Sequence, residues 1–388
     1  MHDVSDKGLD FFPCIDIWLV KRPLSLRICG FMDNEILDYI KGRSVEVNRK
    51  INEYLTDSAS PRYLGSLLGK SGYEYDIEAI NRAIIEPATY LLDLGGKRWR
   101  PILMLTIIDA LQKDSNDYIE FSMIPEVIHN GTLIHDDIED NSDMRRGAPA
   151  VHKKYGIDVG VNLGDFMYFF PVVALLDSDK LTSSTKAKIL EIYQRDLLKI
   201  TIGQAMDIAW HNSLVDPFNV SESQYMQMAY SKTGVLASMA AKIGGVLGGA
   251  DNRTVDALGR FGGSIGVAFQ LQDDLLNITE SSVAESKGGT GDDITEGKIT
   301  LMVVYTLSKA SEVDRKRLRK ILGMHTRNRK LISEAIAIIA KYGAEEYTKT
   351  LEGSIVKKAW VDVDKLLPDS DSKKRLKAMA EFLINRSL

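Results

Sequence analysis

Apolar residues recur along this chain at the spacing of an α-helix almost everywhere. Ile36, Tyr39 and Ile40 sit at i, i+3 and i+4, and Ile51, Tyr54 and Leu55 repeat that spacing. Ile77, Ile80, Ile84 and Leu91 form a further stripe. No run of alternating strands joined by hairpin turns is evident. Between Pro217 and Pro368 the chain has no proline. That suits stacked helices, because an interior proline removes a helix hydrogen bond and clashes with the preceding turn. Gly95–Gly96, Gly288–Gly289 and Pro217 punctuate the pattern as loops. The stretches 234–250 and 259–269 are rich in glycine and alanine, which let helices approach closely. Roughly the last eighty residues read as three amphipathic helices ending near Arg386. No linker demands a second domain. The pattern predicts one large all-α domain over residues 32–388, after an extension over residues 1–31.

That extension carries an apolar run from Phe11 to Val20, interrupted by Asp16 and followed by Lys21, Arg22 and Arg27. It is too short and too charged for a membrane span. The acidic start (Asp3, Asp6, Asp10) argues against a secretory or transit peptide. Met32 precedes the first clean helical pattern and is a candidate start.

Composition narrows the class. Of 388 residues, 44% are hydrophobic and 27% charged, as in an ordinary soluble globular protein. A net charge of −5 gives no general attraction to nucleic acid, so any cationic patch must be local. Cys14 and Cys29 are the only cysteines and form no CxxC motif. A thiolate metal site and a disulfide framework are therefore not expected, which fits a reducing cytoplasm.

The strongest chemical signal is His135-Asp136-Asp137-Ile138-Glu139-Asp140, at the end of an apolar helical stretch. Asp136 and Asp140 are i and i+4, so they share one helix face. Carboxylates crowded this way repel, and they suit Mg²⁺ that also takes phosphate oxygens. Taken alone, the cluster reads more readily as a solvated acidic helix end. Met144-Arg145-Arg146-Gly147 shifts the balance, since arginine forks match phosphate geometry. A second cluster, Gln270-Leu271-Gln272-Asp273-Asp274-Leu275-Leu276-Asn277, ends another apolar helix. Lys232-Thr233 lies upstream, with Lys287 and Lys298 downstream; each lysine alone reads as a surface charge. Gly95-Gly96-Lys97-Arg98-Trp99-Arg100-Pro101 offers a turn for an anion, with Lys97 and Arg100 about one helical turn apart. His129 lies two turns before Asp136 on roughly the same face; its plain reading is a core histidine with a backbone partner.

Taken in order, GGKRWR, HNGTLIHDDIEDNSDMRRG, KTG, FQLQDD and DITEGK resemble the trans-isoprenyl diphosphate synthases, the polyprenyl synthetase family, from about Gly95 to Lys298. The DDIEDNS stretch and Asn277 look most like the geranylgeranyl diphosphate synthases. The resemblance implies an all-α isoprenoid-synthase-type bundle around a deep central cavity, usually a homodimer. It implies Asp136, Asp140 and Asp273 as ligands of three Mg²⁺ ions, with Asp137 and Asp274 in support. It assigns Arg145, Lys232, Thr233, Gln270 and Lys298 to an allylic diphosphate, and Lys97, Arg100, His129 and Arg146 to isopentenyl diphosphate. Asn277 departs from the commoner final aspartate and is not expected to bind metal. The Lys287–Lys298 segment is irregular in length, which leaves the role of Lys287 doubtful.

The implied activity is Mg-dependent head-to-tail prenyl transfer. Its product length is readable if the growing tail runs back along the helix that carries Asp136. A helical turn rises about 5.4 Å, close to one isoprene unit. One turn back lie Gly131 and Thr132, neither bulky, followed by Ile128, Val127 and Ile124. Met167, Phe169 and Phe170 are candidates for a floor. A twenty-carbon product is expected, with a somewhat longer one possible. Two other readings share part of the signal. A class I terpene cyclase needs neither GGKRWR nor His129. A non-catalytic subunit that sets chain length tends to lose the aspartates kept here.

Overall fold

The computed structural model describes residues 24–278 and 291–384, and these form the all-α bundle that the periodicity predicts. The principal helices are α1 (Leu24–Tyr54), α2 (Glu86–Asp93), α3 (Trp99–Ala110), α4 (Met123–Glu139), α5 (Ile157–Phe169), α6 (Ser183–His211), α7 (Val235–Leu247), α8 (Asn252–Ile278), α9 (Leu301–Lys309), α10 (Ala344–Leu366) and α11 (Asp371–Ile384). Helix α3 is buried on nearly every side. Ile102, Leu103, Met104, Leu105, Ile107 and Ile108 have no solvent exposure, so this helix is a central staff rather than an amphipathic wall. Helix α7 packs on it and on α8, and α4 packs on α5. The glycine- and alanine-rich stretches fall in α7 and α8, where small side chains let the two lie close together. The early stripes behave as expected: Ile36, Ile40, Ile51 and Leu55 are buried, while Tyr39 and Tyr54 are partly covered.

One expectation needs correction, the number of C-terminal helices, and two details go beyond the sequence pattern. Helix α1 begins inside the 1–31 extension and runs through Met32, so that boundary is not the end of an element; the rest of the extension lies outside the described residues. The last eighty residues hold four helices, not three: Glu312–Leu322, Arg329–Lys341, α10 and α11. The breaks are short and local. Asn328 caps one start by accepting from the Lys330 amide, and Gly343 adopts a left-handed φ of 71° before α10. A small hairpin also exists, pairing Met144–Arg145 (β1) with Ala148–Pro149 (β2). Its turn residues Arg146 and Gly147 both have positive φ (53° and 78°), the geometry that two-residue hairpins favour.

The run Ile157–Leu176 is long and apolar enough to cross a membrane by length and composition, yet it packs into the bundle with 44% of it buried.

Candidate active site

Both acidic clusters end long helices, and the bundle brings their faces to one cavity of about 480 Å³. Asp136 on α4 and Asp273 on α8 line it, together with Arg100, His129, Thr132, Lys232, Thr233 and Gln270. Lys232 and Thr233 come from a wide π-turn, Tyr230–Gly234, between two helical segments. Helix α6 passes very close to this turn. A Cβ added at Gly203 would lie 2.4 Å from the Lys232 amide nitrogen, so only glycine admits this approach.

Asp136 is surrounded by donors. Its Oδ1 accepts from Lys232 Nζ at 2.9 Å and from Gln204 Nε2 at 3.2 Å. Burial alone would raise its carboxyl, but Lys232 and Lys298 outweigh burial and bring it down to about 2. Lys232 also donates to Asp207 at 2.5 Å. Burial opposes the charge on Lys232, and the two carboxylates hold it above its usual range. Asp140 closes α4 as its cap, 3.4 Å from Lys298 Nζ. Burial raises the Asp140 carboxyl. Lys298 is in turn 2.6 Å from Glu296, and Asp293, Asp140 and Glu296 overcome its burial and keep it protonated.

The second aspartate of each pair points elsewhere. Neighbours on a helix are about 100° apart, so both cannot face one cavity. Asp137 is 2% exposed and takes both Nε and Nη2 of Arg145, with Nε at 3.0 and 3.1 Å from its two oxygens. The Arg145 guanidinium is thus locked on Asp137 and stands 3.9 Å from Asp136. Asp274 is buried and accepts from the Tyr225 hydroxyl at 2.6 Å and from Gln270 Nε2 at 2.9 Å. Burial and the nearby Asp293 push its carboxyl up to about 7. Gln270 accepts in turn from the Thr233 hydroxyl at 2.9 Å. Asp137 and Asp274 therefore orient Arg145, Tyr225 and Gln270 rather than face the cavity. Asn277 has a definite task of its own. Its side-chain oxygen accepts from the Asp293 amide at 3.1 Å and its carbonyl from Gly291 at 2.8 Å, which fixes the return of the chain toward Lys298. Lys287 and Gly288–Gly289 lie outside the described residues.

The basic loop departs from expectation. Arg98 is left-handed at φ 48° and α3 starts only at Trp99. Lys97 is consequently an exposed loop residue, not one helical turn from Arg100. Arg100 is buried with its guanidinium 4.5 Å from the Trp99 ring centre. His129 faces the cavity, not a backbone partner in the core. Burial, with Arg100, Arg146, Arg145 and Arg98 around it, holds this imidazole well below its usual range and hence neutral. Burial also lowers Arg146 to about 10.

The sequence matches the polyprenyl synthetase family over residues 81–339. The chain belongs to the polyprenyl synthetase family. It is 36% identical over 306 residues to a short chain isoprenyl diphosphate synthase of Methanothermobacter thermautotrophicus, covering 78% of this chain and 90% of that one. It is 32% identical over 314 residues to a geranylfarnesyl diphosphate synthase of Natronomonas pharaonis, covering 77% and 88%. The crystal structure of a geranylgeranyl pyrophosphate synthetase from Pyrococcus horikoshii superposes with a TM-score of 0.79 at 29% identity, covering 91% of this chain and 99% of that one. Family membership makes the protein a trans-prenyltransferase.

Sequence reasoning missed Gln204 and Asp207, which complete the Asp136–Lys232 cluster. Their only signal is two polar residues three apart within α6, next to Gly203. Of the residues expected to measure the product, Thr132 lines the cavity with its hydroxyl bonded to the His129 carbonyl at 2.7 Å. Gly131 instead faces α5, where an added Cβ would meet Met167 at 3.0 Å. Ile128, Met167 and Phe170 are buried in the core, whereas Phe169 is 72% exposed and forms no floor within the protomer. Tyr168, absent from the expectation, lines the cavity along with Leu133, Ile200 and Leu236.

Proposed function

We propose that this protein extends allylic diphosphates with isopentenyl diphosphate, giving geranylgeranyl diphosphate or a slightly longer all-trans chain. The observation that carries this reading is that Asp136 and Asp273, from two helices far apart in sequence, share one cavity with Lys232, Thr233, Gln270, Arg100 and His129. The relatives are synthases of such diphosphates.

The donors fit Mg²⁺ and specifically Mg²⁺ with a diphosphate. Asp136 is held ionised, and Asp140 and Asp273 add hard oxygen donors. Among the described residues no three-ligand cluster is preassembled, so the remaining ligands would be phosphate oxygens and water. Bound there, Mg²⁺ would supply a Lewis acid against charge developing on the leaving diphosphate. Three such ions per site are part of this reading. Lys232, held cationic, and Thr233, Gln270, Arg145 and Lys298 would orient the allylic diphosphate. Its C1–O bond breaks with the electron pair leaving on oxygen. Lys97, Arg100, Arg146 and neutral His129 would hold isopentenyl diphosphate, whose alkene attacks C1. The C2 proton then passes to the released diphosphate, so no side-chain base is required. Leu133, Tyr168, Ile200 and Leu236 keep water from the cation. Turnover should stop in excess chelator and return with Mg²⁺; persistence in chelator would sink the metal reading.

Thr132 has the smallest side chain among the cavity residues one turn behind Asp136. Thr132→Phe is expected to move the main product from twenty carbons to fifteen, read by chromatography of the dephosphorylated alcohols. An unchanged spectrum would remove Thr132 from the ruler.

A homodimer completes the reading. Helices α5 and α6 expose Val161, Phe169, Leu198 and Ile202, at 42, 72, 58 and 53%. Exposed apolar side chains of this size suit burial against a second copy. Phe169→Asp combined with Ile202→Asp should convert the dimer to a monomer in light scattering; a wild type already monomeric would refute this. The absence of a general basic charge and the early cysteines agree with a cytoplasmic location without nucleic-acid partners.

A further inference from the structure

The GGKRWR loop supplies two arginines with opposite fates. Arg98 is 3% exposed, and every nitrogen of its guanidinium donates to protein. Nε donates to Asn48 at 2.7 Å and Nη2 to the Leu92 carbonyl at 2.9 Å. Nη1 donates to Glu126 at 2.6 Å and to the Gly95 carbonyl at 3.3 Å. Four of its five N–H groups are thus bonded to protein, and its burial turns it away from any substrate. Its partner Glu126 is 2% exposed, in the first turn of α4. A buried ion pair is kept at a cost in desolvation, which raises the question of what the pair sets in place.

The same Glu126 oxygen accepts from Asn130 Nδ2 at 3.0 Å. The Glu126 backbone carbonyl also accepts from this nitrogen, at 2.8 Å. Carboxylate and carbonyl only accept, so together they fix which way the Asn130 amide points. The amide oxygen must then face away, and there it accepts from Arg146 Nη1 at 3.2 Å. Arg146 also reaches the Leu91 carbonyl at 3.4 Å. Both guanidiniums close on Gly96. A Cβ there would lie 2.9 Å from Arg98 Nη1 and 3.1 Å from Arg146 Nη2. One chain of contacts thus runs from the loop, through the start of α4, to the hairpin that carries Arg146.

We propose that Glu126 and Asn130 are positioning residues that aim Arg146 at the diphosphate of isopentenyl diphosphate, with Arg98 as the fixed anchor of the relay. This rests on the reading above that Arg146 serves that substrate. Glu126 and Asn130 are 2% and 0% exposed whereas Arg146 is only half-buried, so both act through Arg146 and not on substrate.

Glu126→Gln keeps the size, removes the charge and weakens the side-chain acceptor for Asn130, whose Nδ2 keeps its bond to the backbone carbonyl of residue 126. Asn130→Ala cuts the link to Arg146 but leaves the Arg98–Glu126 pair intact. Asn130→Ala is expected to raise KM for isopentenyl diphosphate by about tenfold or more, the scale of one charged hydrogen bond, and Glu126→Gln to raise it by less. KM for the allylic diphosphate should stay near wild type, and circular dichroism should show Asn130→Ala folded at the assay temperature. Two folded variants with unchanged isopentenyl KM, or with both KM values raised equally, would overturn the relay. If Glu126→Gln fails to fold, Asn130→Ala alone decides. Arg146→Ala serves as the control. A rise in isopentenyl KM there, with none in the relay variants, removes only the relay. A rise in allylic KM instead removes the subsite reading, and the relay's role with it.

Discussion

Asp136→Ala is expected to lower turnover by about two to three orders of magnitude, the scale seen when one preorganised electrostatic partner of a developing charge is lost. Asp136 is the meeting point of the site. It accepts from Lys232 and Gln204, faces the cavity, and is held ionised by Lys232 and Lys298 against its burial. The variant should nonetheless fold. Lys232 keeps Asp207 as a partner, and crowding with Glu139 and Asp140 is relieved. Stopped-time product assays beside circular-dichroism melting would separate the two effects. A well-folded variant with near wild-type turnover would remove Asp136 from the chemistry.

Gly203→Ala is the second large effect, and it acts through the fold. A methyl at this position would lie 2.4 Å from the Lys232 amide nitrogen and 2.7 Å from the Ser231 carbonyl carbon. Neither is the end of a flexible side chain, so α6 and the π-turn must separate. Overpacking of this kind costs about 1–3 kcal/mol. The same displacement would carry Lys232 away from Asp136 and Asp207, so activity should fall by more than tenfold even below the melting temperature. A variant as stable and as active as wild type would show that the π-turn does not depend on this close contact.

These two positions differ in how visible they are from sequence. Asp136 and Asp140 share a face by simple helical arithmetic, and the arginines and lysines that follow give the acids a chemical reason. The same arithmetic puts adjacent residues about 100° apart, which turns Asp137 away from Asp136 and Gly131 away from Thr132. The structure places Asp137 on Arg145 and Gly131 on α5. Other features leave no local trace. The left-handed Arg98 is not a residue type that demands such a conformation, so Lys97 looked helical. Gln204, Asp207, Glu126 and Asn130 are single polar residues in ordinary helices. Their roles arise only when α4, α6 and the π-turn are packed together. The fold class was legible because helical periodicity is repeated over most of the chain. The short breaks that end at Asn328 and Gly343 were not, because they are only six and two residues long and contain no proline.

The central claim is chain elongation in this cavity. The direct measurement is to incubate the pure protein with Mg²⁺, isopentenyl diphosphate and labelled farnesyl diphosphate, and to size the dephosphorylated products. A labelled alcohol of twenty carbons, with a minor longer species, is the predicted result. Farnesol alone, or a cyclic hydrocarbon formed without isopentenyl diphosphate, would contradict it.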